Sequence, residues 1–161
     1  MKVIKKQNNS HHCLICGIEN QLGLQAHFYE MENNTVVAKF KFKNEHQSYP
    51  DRTHGGMISA LLDELVGRAI WITDPKMWGV TMTLNVKFRK PAPINEELIG
   101  IGRIDSQTSR TFTGSGEIKD KDGNIIAEAS AVYMKLPIDK ISNSASSDEV
   151  DVFLPDNITE I

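Results

Sequence analysis

Apolar and polar residues alternate along much of this chain, which is the pattern of β-strands with one buried face. Two early runs lie on either side of the turn residues Glu32–Asn34 and predict a hairpin. Longer runs occupy the second half of the chain and end at Pro137. The predicted strands are Leu22–Phe28, Val36–Phe42, Val80–Arg89, Leu98–Thr108, Arg110–Lys119 and Ile125–Leu136.

One segment has the spacing of a helix instead. It runs from Gly56 to about Thr73, after the loop Asn44–His54, and ends before Asp74-Pro75 because the residue before a proline avoids helical angles. Apolar side chains cover most of its circumference, which is typical of a buried helix. The element order β-β-α-β-β-β-β predicts an α+β fold, in which a curved antiparallel sheet of about six strands wraps around one central helix.

Length and charge set outer limits on function. The chain has 161 residues, 40% of them hydrophobic, and a net charge of −3, which predicts one folded domain without a nucleic-acid or membrane partner. No run approaches the roughly 20 apolar residues of a membrane span, and the first residues lack an apolar leader, so a cytoplasmic location is expected.

The ends of the chain differ from its middle. Residues 1–12 are expected to form a flexible N-terminus, and residues 13–136 the folded domain. Residues 137–161 form a tail with six acids and one base, in which Ser142–Ser147 is expected to be mobile. Residues Val150–Leu154 could add an edge strand or pack on a partner.

Cys13 and Cys16 are the two cysteines of the chain. A disulfide is disfavoured in a cytosolic protein, and a zinc site needs about four ligands, which the adjacent His11 and His12 are poorly placed to complete. A redox pair would stand at the start of a helix after a strand, and that context is missing here. We therefore predict that the two cysteines pack a turn, and assign no metal site.

The predicted helix carries one carboxylate without a local partner. Glu64 and Arg68 are spaced to pair with each other, whereas Asp63 lies on a narrow strip with Ser59 and Gly67. Burying an unpaired carboxylate costs several kcal/mol. Asp63 could bond to backbone groups, face solvent, or line a cleft in which it does chemistry. The small neighbours favour the cleft because they leave room above the carboxylate.

The start of the helix favours an anion. His54-Gly55-Gly56 precedes or opens it, and the first N–H groups of a helix have no internal acceptor. Glycine lets another group approach them closely. An acyl carbonyl could rest on this end while Asp63, or water held by it, attacks the carbonyl carbon.

The segment HGGMISALLDELVG, residues 54–67, resembles the helix signature of hotdog-fold acyl-CoA thioesterases of the phenylacetate-degradation (PaaI-like) type. Their pattern is HGG with a catalytic Asp or Glu nine residues after the histidine, which is Asp63 here. GVTMTLNVKFRKPAP resembles the strand that follows in this family, and CLICGIENQLGL resembles the opening of many members. The resemblance covers about Cys13–Leu136 and implies a hotdog thioesterase-like domain.

The resemblance implies a role for individual residues. Asp63 would be the general base or nucleophile, and the Gly55 N–H would polarise the thioester carbonyl. Gln47 would lie near the carbonyl and the attacking water, with Ser48 as the alternative because the spacing departs by about one residue. Thr81 would hold water near the acid, usually across a dimer interface. His54 would be a positioning residue.

The resemblance also implies a coenzyme A site without a metal or organic cofactor. Arg89 and Lys90 are the best candidates for the coenzyme A phosphates and Arg110 is a second, although each could equally be a solvated surface cation. Substrate-binding residues would then be His54, Gly56, Ser48, Arg89, Lys90 and Arg110. The implied partners are an acyl-CoA substrate and a second copy of the chain, in a homodimer or a dimer of dimers.

Two other functions occur on this fold. Hydratases pair an Asp with a His five residues later, and that position is Arg68 here; the His-x-Phe-Pro loop of dehydratases is also missing. A non-catalytic acyl-CoA-binding module stays open, because Asp63 and the helix N-terminus could serve binding alone. The identity of the acyl group is not readable from the sequence.

Overall fold

The computed structural model describes residues 1–143 and 150–161. Its main feature is one antiparallel sheet of seven strands with the order β1-β2-β3-β5-β6-β7-β4. One long helix, α1, packs against it. The strands are β1 Val3–Lys6, β2 Tyr29–Met31, β3 Val36–Phe40, β4 Trp78–Phe88, β5 Leu98–Gln107, β6 Thr111–Lys119 and β7 Ile125–Leu136. The helices are α1 Gly55–Arg68, α2 Ile70–Thr73 and α3 Ile138–Ile141, with a 3₁₀ turn at Asn44–His46.

The predicted fold is confirmed, with seven strands instead of about six. Strands β5, β6 and β7 follow one another as hairpins. The turn between β6 and β7 is held by the Asp120 carboxylate, which accepts hydrogen bonds from the N–H groups of Asp122 and Asn124. Strand β4 lies beside β7 at one end of the sheet, so its other side is open.

Helix α1 lies unusually close to the sheet. Its buried side chains are Ile58, Leu61, Leu62, Leu65, Val66 and Arg68. Glycines on β5 and β6 allow this approach: a Cβ at Gly102 would lie 2.3 Å from the Leu65 carbonyl oxygen, and a Cβ at Gly114 would lie 2.5 Å from Val66 Cγ1. At Gly102 the backbone of the helix therefore lies directly against β5.

Two element boundaries differ from the prediction. The helix predicted from Gly56 to about Thr73 is divided at Ala69 into α1 and α2. The strand predicted at Leu22–Phe28 does not form there, and β2 is the three-residue strand Tyr29–Met31 that follows. The residues before it bond to a loop instead, because the N–H groups of Leu24 and Ala26 donate to the carbonyls of Leu14 and Ile15.

The N-terminal segment, for which the sequence predicted flexibility at residues 1–12, contains a strand and several hydrogen bonds to the rest of the chain. Strand β1 pairs with β2, and the side chain of buried Asn9 donates to the carbonyls of Cys16 and Ala26. The tail contacts this segment: the Val3 N–H donates to Thr159, and Asn9 and Val152 exchange backbone hydrogen bonds. Residues 144–149, with most of the predicted mobile run, lie outside the described residues.

Within the part of the chain that the structure describes, no helix combines the length and apolarity needed to cross a membrane.

Candidate active site

Asp63 is half-buried on α1 and has two hydroxyl partners. Thr81 Oγ1 on β4 lies 2.9 Å from Asp63 Oδ1 and 3.1 Å from Oδ2. The Tyr133 hydroxyl on β7 lies 2.9 Å from Oδ1 and 2.9 Å from the Asp63 carbonyl oxygen. The carboxylate is thus held in one orientation by side chains of two strands.

A break in the strand register explains why Thr81 reaches the helix. Thr81 pairs with Tyr133 and Thr83 pairs with Val132, so Met82 forms a bulge on β4. A bulge turns the flanking side chains out of strict alternation. The two hydroxyls that contact Asp63 therefore come from directly paired residues, which the alternating pattern could not reveal.

Asp63 lies in a small cleft, which we call the Asp63 cleft. Its volume is about 80 Å³. Gly67 adds no side chain to it, and the rings of Trp71 and Trp78 meet edge to face at 4.6 Å. The cleft is lined by Asp63, Glu64, Gly67, Arg68, Trp71, Trp78, Gly79, Thr81 and Tyr133. Of the two small neighbours from which room above the carboxylate was predicted, Gly67 lines this cleft, whereas the Ser59 hydroxyl donates to the Gly55 carbonyl.

Tyr133 is the site residue that sequence reasoning missed. It is buried and stacks on Phe112 with 4.7 Å between the ring centroids. Burial, together with the negative charge of Asp63, raises the pKa of Tyr133 well above its usual range. The phenol therefore stays protonated and donates to Asp63. An inward position on β7 was the only sequence signal for it.

The two glycines at the N-terminus of α1 differ in whether their N–H groups have an acceptor. The Gly56 N–H donates to His54 Nδ1 at 2.8 Å, so His54 caps the helix. The N–H groups of Met57 and Ile58 donate to the His54 carbonyl. Among the described residues the Gly55 N–H has no acceptor. Of the two glycines, Gly55 is thus the one free to bind an oxygen.

Gly55 lines a second, larger cleft of about 440 Å³, which we call the Gly55 cleft. It brings together Ser48, Gly55, Arg89 and Lys90, which the sequence had selected separately. The remaining lining residues are Tyr49, Arg52, Thr53, Ile58, Phe88, Pro91 and Ala92. Gln47 does not line it, and its side-chain oxygen accepts from the Asp51 N–H at 3.1 Å. The geometry favours Ser48 over Gln47 near the helix end.

The predicted cations are far apart in one chain. The Arg89 N–H bonds to Ile126 at the start of β7, whereas the Arg110 carbonyl bonds to Lys135 near its end. Nine strand residues separate these points, which is about 30 Å. Arg89 also pairs with Glu128. A single chain does not bring Arg110 to the Gly55 cleft.

Asp63 and Gly55 are also separated. Eight helical residues correspond to about 12 Å along α1, and the two residues line different clefts. Within one chain, Asp63 therefore does not lie beside the N–H group of Gly55.

The fold and these clefts define the chain as a hotdog-fold protein with a carboxylate on its central helix. A family model described as the thioesterase superfamily matches residues 52–127, which include α1 and Asp63. The match extends through β4, β5 and β6. The resemblance to hotdog-fold thioesterases predicted from the sequence is confirmed.

One curated protein and two solved structures show what the chain is similar to. Mouse acyl-coenzyme A thioesterase 13 is 26% identical over 94 residues, which are 58% of this chain and 67% of that protein. A crystal structure of a thioesterase superfamily protein superimposes with a TM-score of 0.70 at 26% identity, and the match covers 76% of this chain but only 63% of that one. A hypothetical thioesterase from Streptococcus pneumoniae, solved with coenzyme A, has a TM-score of 0.62 at 21% identity over 70% of this chain and 86% of that one.

Proposed function

We propose that this protein hydrolyses an acyl-CoA thioester to the free acid and coenzyme A. The observation that carries the proposal is the Asp63 carboxylate, held by Thr81 and Tyr133 in an open cleft of a thioesterase-like fold. The similarity to a mouse acyl-coenzyme A thioesterase and to a structure solved with coenzyme A supports the substrate class.

The chemistry needs an attacking oxygen and a stabilised oxyanion. Asp63 either takes a proton from a water molecule that attacks the carbonyl carbon, or attacks that carbon itself and forms an anhydride that water then opens. The open Gly55 N–H would donate to the oxygen that becomes negative. The carbon–sulfur bond breaks, and the sulfur leaves as the coenzyme A thiol after taking up the proton that the water gives up; no cofactor is required.

The separation of Gly55 and Asp63 favours a site between two copies of the chain. Strand β4 is the edge on which a second copy would dock, because it is 11 residues long and open on one side. The other edge, β1, has four residues and is bonded to the tail. We therefore propose a homodimer, alone or paired into a dimer of dimers. A cytoplasmic location stays a prediction.

In such a dimer the Gly55 cleft would receive the coenzyme A portion. Arg89 and Lys90 would contact its phosphates, and Ser48 would lie near the carbonyl and the water in preference to Gln47. Arg110 lies too far along β7 to act in the same cleft from the same chain. Any contribution of Arg110 to the phosphates would come from the other copy.

The decisive experiment is Asp63→Asn, assayed by thiol release on a panel of acyl-CoAs. The amide keeps the shape and one acceptor oxygen but loses the charge. Turnover should fall by at least about 10²-fold, with little change in substrate affinity. Asp122→Asn is a matched control, since Asp122 lies in the exposed β6–β7 turn. Unchanged turnover per folded molecule in Asp63→Asn would reject the proposal.

A non-catalytic acyl-CoA-binding module is the second candidate. It is favoured by the same hydroxyl contacts, because a carboxylate bonded to Thr81 and Tyr133 also has a structural role. This candidate predicts tight binding of an acyl-CoA without thiol release by the native protein. It also predicts that Asp63→Asn lowers the thermal midpoint.

A further inference from the structure

Two cysteines and a glutamate meet beside the Asp63 cleft. The Sγ atoms of Cys13 and Cys16 and a carboxylate oxygen of Glu64 all lie within 4.8 Å of one another. The cysteines come from the turn that precedes β2, and Glu64 comes from α1. The sequence suggested no third ligand because Glu64 is about 50 positions away and enters only through the packing of the helix.

The cysteine turn is built around the sulfur of Cys13. The N–H groups of Ile15 and Cys16 point at Cys13 Sγ at 3.3 and 3.4 Å. The turn closes where the Gly17 N–H donates to the Cys13 carbonyl at 2.9 Å. A Cβ at Gly17 would lie 2.4 Å from that carbonyl oxygen, so the turn requires glycine there. Two N–H groups of the turn thus converge on the Cys13 sulfur.

The neighbouring histidines are turned away from the cluster. His11 Nδ1 lies 2.8 Å from a carboxylate oxygen of Glu19. The side chain of His12 is 67% exposed, and its Nε2 lies 3.9 Å from the other carboxylate oxygen of Glu19. Neither histidine belongs to the group of converging ligand atoms. The donor set is therefore two sulfurs and one carboxylate.

The charges around the cluster balance with a divalent cation. Glu64 pairs with the buried guanidinium of Arg68 at 2.7 Å. Two thiolates and Glu64 carry three negative charges, and Arg68 with a divalent ion carries three positive ones. Each cysteine would release its proton to solvent as the ion binds. The site is thus neutral when filled, and neutral with both thiols protonated when empty.

We propose that Cys13, Cys16 and Glu64 bind one thiophilic divalent ion, with Zn²⁺ the best fit to two sulfurs and one oxygen. Three protein ligands leave the fourth tetrahedral position to a solvent molecule. The ion joins the N-terminal turn to α1 next to Asp63. The ion pair with Arg68 fixes the orientation of the Glu64 carboxylate. This inference is independent of the proposed hydrolysis.

The test is a Zn²⁺ titration of the metal-free, full-length protein by calorimetry, in a non-thiol reductant. We expect one Zn²⁺ per chain. Cys16→Ser and Cys13→Ser should each weaken binding by more than about 100-fold, because loss of an outer partner alone costs about 10–100-fold. A His11→Ala/His12→Ala double variant is the matched control and should bind Zn²⁺ like the native protein.

Cobalt distinguishes these ligands from adventitious sites. Co²⁺ added to the native protein should give a thiolate-to-metal charge-transfer band that is absent in Cys16→Ser, and weaker or shifted visible bands in Glu64→Gln. Circular dichroism shows whether each variant is folded. The proposal is overturned if the reduced native protein binds no Zn²⁺, if Cys16→Ser binds it equally well, or if the double histidine variant loses it.

Discussion

At the scale of single residues, the site depends on hydroxyl groups that select one orientation of Asp63. Thr81 and Tyr133 donate to the same carboxylate oxygen, Oδ1. The sequence predicted Asp63 from its cost of burial and Thr81 from a resemblance. Tyr133 was missed because a tyrosine at an inward strand position is ordinary core until a partner for its hydroxyl is known.

Tyr133→Phe tests that contact. It removes the hydroxyl donor but keeps the ring that stacks on Phe112. The free energy of unfolding should fall by about 1 kcal/mol, the usual net value of a hydrogen bond. Thiol release should fall by a smaller factor than in Asp63→Asn, since Thr81 still holds the carboxylate.

Urea unfolding and the thiol-release assay on the same samples measure both effects. Tyr49→Phe is the matched control for stability, because Tyr49 is 78% exposed. A loss of stability in Tyr49→Phe as large as that in Tyr133→Phe would contradict the role of the Tyr133–Asp63 contact.

At the scale of elements, the close approach of α1 to the sheet depends on glycines of β5 and β6. At Gly102 a Cβ would meet the Leu65 carbonyl at 2.3 Å, and backbone cannot swing aside as a side chain can. The same substitution at Gly67, on α1 itself, would place a Cβ at an ordinary 3.5 Å from Tyr133.

Glycine-to-alanine changes at these two positions should therefore have opposite signs. Gly102→Ala should lower the free energy of unfolding by about 1–3 kcal/mol, as overpacked cores do. Gly67→Ala should raise it by up to about 1 kcal/mol, because alanine favours the helix. Urea midpoints report both. If the two changes altered the free energy of unfolding equally, the close contact between the helix backbone and β5 at Gly102 would be contradicted.

At the scale of the whole molecule, the open edge of the sheet predicts a dimer. Met82 on β4 is 56% exposed, and Ile4 on the opposite edge is 61% exposed. Met82→Asp should leave a species of 18.0 kDa, whereas native protein and Ile4→Asp should have about twice that mass, or about four times in a dimer of dimers. Light scattering at micromolar concentration measures the masses. Activity should be lost together with the dimer, because Gly55 and Asp63 would no longer meet.

The folded-back tail adds a dependence on pH. Although partial burial opposes the shift, hydrogen bonds from Lys6 and Tyr29 lower the pKa of Asp156 from 3.8 to about 2. A pKa lowered by folding stabilises the native state above the unfolded value and loses that effect as the pH falls. Asp156→Asn should therefore cost up to about 1 kcal/mol at pH 7, as surface ion pairs do.

Thermal unfolding at several pH values measures this effect. The difference between native protein and Asp156→Asn should narrow as the pH falls from about 4 towards 2. Asp139→Asn, an exposed acid of the same tail, should match the native protein throughout. A pH-independent difference would contradict the role of the Asp156 charge.

Local patterns by themselves determined most elements of this protein. Strand β7 was predicted at the residues where it occurs, Ile125–Leu136, and the central helix to within one residue of its start. Alternation and helical spacing indicate which side of an element is buried. They can therefore be recognised in the sequence of one segment, without knowledge of the rest of the fold. The carboxylate on the buried helix and the glycines before it were readable for the same reason.

Tertiary structure decided what these elements bring together. Val80 and Met82 are apolar positions of the alternating pattern of β4, but they are 36% and 56% exposed, because β4 is an edge strand with a bulge. Several contacts join distant parts of the chain. They are the hydrogen bond between Tyr133 and Asp63, the cluster of Glu64 with two cysteines, and the hydrogen bonds between the N-terminal segment and the tail. Contacts between distant segments depend on how elements pack, and periodicity along one segment carries no information about them.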